Sequence, residues 1–218
     1  DYLADLDALL DTLGIEDPID LVGHSMGGNV VMMYAGTRPE RIRRLVNIEG
    51  FGMSVTRPAQ APTRLAQWLD EIRSLRQGEK DLKDYADVQG VADRLMKTNP
   101  RLGPDKALWL AHHWARPNAQ GRWQILGDPA HKNINPYLSR LEETLALYAR
   151  ISAPVMAVES SEDSLSQWWR GKYSLEEYHE RLQQVPDCRV VRIDECGHML
   201  HHDQPQALAE ALERFLLE

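Results

Sequence analysis

The chain has 218 residues, enough for one good hydrophobic core or a core with a smaller satellite. With 43% apolar and 27% charged residues it has the composition of an ordinary globular protein. Its net charge of −8 argues against nucleic acid or an anionic membrane surface as a partner, since both demand clustered Lys and Arg. No stretch approaches the roughly 20 apolar residues of a membrane span.

The opening residues, DYLADLDALL, are acidic and amphipathic, unlike a secretory signal. Leu3, Leu6, Leu9, Leu10 and Leu13 predict one face of a helix that Gly14 stops. After Pro18 a short buried strand is expected over Ile19–Val22. It is followed by HSMGG and a helix through Val30–Tyr34, ending near Gly36 and Pro39. Leu45–Ile48 predicts a second strand. Short apolar strands alternating with amphipathic helices predict an α/β fold with a mostly parallel sheet covered on both faces.

From 52 to 150 the signals are helical: Leu65, Trp68, Leu69, Ile72 and Leu75, then Pro104, Leu108, Ala111 and Trp114, then a capping box of Ser139 with Glu142. This predicts a helical cap inserted between strands. Its Trp68, Trp109, Trp114 and Trp123 are expected mainly in its core, with a minority lining an apolar acyl pocket. His112 and His113 are expected to pack in this cap or line that pocket. The sheet resumes at Pro154–Val158. A capping box of Ser174 with Glu177 opens another helix, Val190, Val191 and Ile193 mark a last strand, and 204–217 a closing helix with Pro205 in its first turn. The expected division is thus 1–51 core, 52–150 cap and 151–218 core.

Cys188 and Cys196 bracket an extended run that spans about 26 Å, whereas a disulfide needs Cα atoms within about 7 Å. Two free thiols are expected, as in the reducing cytoplasm.

A Gly-x-Ser-x-Gly pattern, here Gly23–Gly27, is weak alone, because roughly one random chain of this length in fifteen carries it. Context sharpens it: the turn of an exposed nucleophile needs a strand before, a helix after, and small residues at 23 and 27. The rival reading makes Ser25 a helix cap. GHSMGG resembles the nucleophile elbow of the α/β-hydrolase superfamily, VMAVESSEDS its acid-bearing strand and turn, and DECGHMLHHDQPQALAEALERFL its histidine loop and final helix. The resemblance covers nearly the whole chain and follows the family order of nucleophile, acid, histidine.

It implies Ser25 as nucleophile, His198 as general base and acid, Asp163 as the acid, and the Met26 N–H as an oxyanion donor. Glu162 is the substitute if the turn shifts by one. Glu49 is the alternative acid, because some members carry theirs after the strand that ends at Ile48. No cofactor is implied. A metal reading of His198, His201 and His202 lacks a supporting Cys or Glu pattern, so no metal is expected.

The resemblance departs from the family at the start, where members carry further strands and a second oxyanion donor. The expectation is therefore an exposed nucleophile strand, met by a preceding N-terminal segment or by self-association. The implied activity is a serine hydrolase cleaving a small or medium carboxylic ester. Thioesterase, lactonase, acyltransferase and carbon–carbon hydrolase activities stay open, as does a non-catalytic fragment binding a ligand or partner.

Overall fold

The computed structural model describes residues 2–218, which divide into two compact units: residues up to Val55 with Ser139–Glu218, and Thr56–Leu138. The first unit opens with α1 (Tyr2–Thr12), β1 (Ile19–His24), α2 (Met26–Thr37) and β2 (Ile42–Ile48). The second contains α3 (Ala61–Arg76), β3 (Asp84–Tyr85), α4 (Val88–Thr98), α5 (Pro104–Trp114), β4 (Ala115–Pro117) and β5 (Trp123–Ile125). The chain then returns to the first unit through α6 (Leu141–Tyr148), β6 (Val155–Ser160), α7 (Ser164–Trp169), α8 (Leu175–Leu182), β7 (Cys188–Ile193), α9 (Leu200–Asp203) and α10 (Pro205–Leu216).

The four strands of the first unit form one parallel sheet in the order β1-β2-β6-β7. Alternate residues of the inner strands feed two cores. Leu45, Val155 and Ala157 join Val31, Met32, Tyr148 and Tyr178 on one face. Val46, Ile48, Met156 and Val158 join Leu200, Leu208 and Phe215 on the other. That period-two split explains why Leu45–Ile48 and Val155–Val158 read as largely apolar, broken only by Asn47. Each fully buried Leu, Val or Met contributes about 1.5–3 kcal/mol over its exposed state. Among the described residues β1 pairs only with β2, and β7 lies at the opposite edge.

Helix α2 lies close against α6. A Cβ on Gly36 would sit 2.3 Å from the Leu147 carbonyl oxygen, so no side chain fits there. The box of Ser174 and Glu177 forms as expected, Ser174 Oγ accepting from the Glu177 N–H and Glu177 accepting from the Ser174 N–H. The predicted box at Ser139 does not open its helix. Arg140 is the N-cap of α6, without a side-chain cap bond, and its guanidinium pairs with Glu143 instead.

In the second unit the core is made of small and aliphatic side chains, Val91, Ala92, Leu102, Ala107, Leu110, Ala111 and Ala115, with Tyr85. The expected Trp core is corrected here. Trp109 is 59% exposed and stacks on His113, and only Trp123 of the four packs against the cluster. The unit also holds a three-stranded antiparallel sheet, order β3-β5-β4, whose strands are only two or three residues long. Runs that short carry no readable alternation. No helix of the described residues is long and apolar enough to cross a membrane, and neither cysteine is in a disulfide.

Candidate active site

Ser25 follows the last residue of β1, and its backbone is forced into an unusual turn, φ 55° and ψ −120°. A non-glycine residue with positive φ is strained, so the surrounding structure must impose it. Three features do so. The Ser25 N–H donates to the Ile48 carbonyl at 2.8 Å, extending the β1–β2 ladder one residue into the turn. A Cβ on Gly23 would lie 2.4 Å from the Gly27 carbonyl oxygen, so the strand can pass the first turn of α2 only as glycine. A Cβ on Gly28 would lie 2.2 Å from Asn47 Oδ1, which requires glycine there too.

The crowding corrects one expectation. A Cβ at position 27 would meet nothing within 4 Å, so the space-limited partner of Gly23 is Gly28 rather than Gly27. The capping reading of Ser25 also fails on geometry. Ser25 occupies the N-cap position of α2, yet its side chain makes no cap hydrogen bond. Its Oγ lies 3.0 Å from His198 Nε2 instead.

On the other side of the imidazole, His198 Nδ1 lies 3.2 Å from Oε2 of Glu49. Glu49 directly follows β2, is 3% exposed and, like Ser25, has a positive φ, of 54°. Its own N–H donates to the Val158 carbonyl at 2.9 Å, which holds the end of β2 against β6. Two further donors meet this carboxylate: the Ser160 N–H reaches Oε1 at 2.7 Å, and the Ser164 hydroxyl donates to Oε2. A buried carboxylate is tolerated when donors replace the lost water, and here three do so.

Behind Glu49, the fully buried Asn47 side chain braces the turn. It donates to the Gly50 carbonyl at 2.8 Å and to the Tyr178 hydroxyl, and accepts from the Gly50 N–H at 3.0 Å.

Asp163 is not brought to the histidine. It is exposed and caps α7, accepting from the Ser166 N–H at 2.9 Å. The physical reason is local: an Asp directly before a helix satisfies the first-turn N–H groups of that helix. Glu162 lies beside Gly197, where its Oε2 would be 2.9 Å from an added Cβ. Glu49 is the alternative acid, expected because some members of the resembled family carry theirs after the strand that ends at Ile48.

The loop carrying His198 is pinned from several sides. The Gly197 N–H donates to Asp203 at 3.0 Å, and the Glu162 N–H donates to the Cys196 carbonyl. His24 Nε2 reaches the His198 carbonyl at 2.8 Å. The Trp168 indole stands edge-on to the His198 ring, with centroids 4.1 Å apart, while remaining 56% exposed. Burial holds the His24 imidazole below its ordinary range, and its bond to the His198 carbonyl partly opposes that. The Met26 N–H is the first of α2, where no intrahelical acceptor exists. Among the described residues no three His, Cys, Asp or Glu side chains are grouped to hold a metal ion.

Comparison with known proteins bears on this arrangement. A cis-3-alkyl-4-alkyloxetan-2-one decarboxylase of Shewanella oneidensis is 26% identical over 98% of this chain and 64% of its own length. An sn-1-specific diacylglycerol lipase of Mus musculus is 20% identical over 97% of this chain and 63% of its own. The chain thus spans a little under two thirds of the length of these relatives. A hypothetical protein of Pseudomonas aeruginosa superposes with a TM-score of 0.81 at 24% identity, over the whole of this chain and 73% of its own, a likeness of fold. The sequence model of the Alpha/beta hydrolase family matches residues 1–211. With a parallel sheet covered on both faces and a serine on a strained strand-to-helix turn, this chain belongs to the alpha/beta hydrolase family.

Proposed function

We propose that this site is the catalytic centre of a serine hydrolase that cleaves a small or medium carboxylic ester through an acyl-enzyme. Ser25 is the nucleophile, His198 the base and acid, and Glu49, in place of Asp163, the acid. The observation that carries the reading is the unbroken run from Ser25 Oγ through both ring nitrogens of His198 to Glu49.

Ser25 Oγ attacks the ester carbonyl carbon as its proton passes to His198 Nε2. The carbonyl electron pair moves onto oxygen, where the Met26 N–H at the positive end of α2 meets it. The tetrahedral intermediate collapses, the C–O bond to the alcohol breaks, and the leaving oxygen takes the proton back from Nε2. Water then repeats the sequence on acyl-Ser25, giving the carboxylic acid and the free serine. Throughout, Glu49 accepts from Nδ1–H, fixing the ring's orientation and offsetting the positive charge of the imidazolium.

Two further observations favour an ester with an apolar acyl group. Met26, beside the nucleophile, and Trp168, against His198, leave large apolar side chains exposed near the reacting atoms. The names of the two relatives describe action on a diacylglycerol and on an oxetan-2-one, an open and a cyclic ester.

The test is hydrolysis of p-nitrophenyl acetate and butyrate, together with labelling by a fluorophosphonate probe. The parent chain turns over and labels at Ser25. Ser25→Ala loses the label and lowers turnover by up to roughly 10⁶-fold. A folded chain that neither labels nor turns over would sink the reading.

A further inference from the structure

We propose that His24 is a positioning residue for the catalytic histidine: its Nε2–H donates to the His198 carbonyl and so fixes the backbone from which that imidazole reaches Ser25. The inference rests on the roles of Ser25 and His198 proposed above, and adds to them a residue that touches neither substrate nor reacting atom.

Geometry is the first ground. His24 Nε2 and the His198 carbonyl oxygen are 2.8 Å apart. A carbonyl only accepts, so the proton sits on Nε2 whatever the charge of the ring. His24 is the last residue of β1 and the chain neighbour of Ser25, and it lies in register with Ile48. One strand end therefore holds the histidine loop at two points on adjacent residues. Ser25 Oγ meets the His198 ring and His24 meets the His198 backbone. Any shift of the loop that spoiled the first contact would also strain the second. Misplacement of a catalytic group by about 1 Å can cost about 10²-fold in rate.

Charge is the second ground. The His24 ring lies 4.7 Å from that of His198, tilted by 39°, and 4.7 Å edge-on from His201, which itself packs on His202. The titratable groups facing it are thus His198, with Glu49 behind, and His201. When His198 takes the proton of Ser25 it becomes a cation, and a second imidazolium at this distance would repel it. Burial lowers the affinity of the His24 ring for a second proton and so favours its neutral form. A neutral Nε2–H tautomer supplies the hydrogen bond without the charge.

The experiment compares His24→Phe, which keeps a ring but no donor, with His24→Gln, whose amide nitrogen stands near the place of Nε2. Each is read by the rate of fluorophosphonate labelling at Ser25, by kcat and KM for p-nitrophenyl butyrate, and by melting temperature. Histidine ¹⁵N spectroscopy of the parent chain reads the tautomer directly. The expected result is a labelling rate and kcat lowered about 10- to 100-fold in His24→Phe, with KM nearly unchanged. His24→Gln recovers most of that loss, and the spectrum shows His24 protonated at Nε2. Equal impairment of Phe and Gln variants, or a His24 proton on Nδ1, overturns the inference. So does full activity of a folded His24→Phe chain alongside an inert His198→Ala chain. If His198→Ala itself labels as fast as the parent, the catalytic reading fails first, and this inference goes with it.

Discussion

Two turns leave the carboxyl ends of neighbouring parallel strands, and both carry a carboxylate. The turn after β2 presents Glu49 inward, at a positive φ, to three donors, the His198 ring among them. The turn after β6 presents Asp163 outward, onto the first turn of α7. The difference is one of what each chain segment must satisfy locally. A residue one step before a helix is claimed by that helix's unpaired N–H groups. No helix follows Glu49 directly, so its side chain is available for a partner far away in sequence. The turn after β6 still serves the site, but as a supplier of donors. Ser160, which ends β6, and Ser164, which opens α7, hold Glu49 from either side of the turn by an N–H and a hydroxyl, and the turn's Glu162 N–H holds the histidine loop through Cys196.

The largest test of this contrast exchanges charge for a neutral amide in the inner turn. Glu49→Gln keeps the shape but places an NH₂ group among donors. It can no longer both accept from Nδ1–H and balance the imidazolium. The expected outcome is a kcat lowered about 10⁴-fold, the magnitude found when a triad carboxylate is made an amide elsewhere. Labelling of Ser25 slows in parallel, while the melting temperature changes little by comparison. If Asp163→Asn reproduced that loss and Glu49→Gln did not, the assignment of the two turns would be reversed.

The brace behind Glu49 comes next in size. Asn47 is wholly buried and satisfies both backbone groups of Gly50. Asn47→Ala leaves a buried N–H and a buried carbonyl without partners, at about 1–3 kcal/mol each. Denaturant unfolding is therefore expected to show about 2–6 kcal/mol of lost stability, with activity falling because the strained Glu49 turn loosens. Unchanged stability would mean that the turn is held by its strand ends alone.

Much of this could be read from local patterns. The strands over Leu45–Ile48 and Pro154–Val158 stand out as largely apolar because both sheet faces are covered there, whereas Ile19–Val22 shows only through Ile19 and Leu21, which pack on one core while Val22 stays exposed. The elbow announces itself through Gly23, Ser25 and the helix that follows. What could not be read depends on contacts between segments far apart in sequence. The need for glycine at 28 arises from Asn47 Oδ1. The seating of Glu49, rather than Asp163, against His198 rests on contacts from Ser160 and Ser164. In the second unit, helical periodicity was legible and included Ala111, but Trp109 mimicked a core position while Ala107, too small to stand out, fills the core. Ser139 and Glu142 had the spacing of a capping box, yet the helix starts after Arg140, a one-residue shift that side-chain spacing alone does not resolve.

The smallest effect belongs to the outer turn and separates the two carboxylates most cleanly. Asp163→Ala removes one acceptor from the Ser166 N–H of a six-residue helix. Loss of an N-cap costs about 1 kcal/mol. Here the freed N–H stays near solvent, because Asp163 itself is exposed, so water takes part of the acceptor's place. Thermal unfolding should therefore show a shift of a few degrees at most, while kcat for p-nitrophenyl butyrate stays within about threefold of the parent. Fraying of α7 reaches the active site through Ser164, whose hydroxyl donates to Glu49, and, further along the helix, through Trp168, whose ring rests on His198. A small rise in KM with kcat preserved would report the Trp168 route. A fall in kcat on the scale of Glu49→Gln would instead mean that Asp163 turns inward during catalysis, and that the two turns exchange roles when substrate binds.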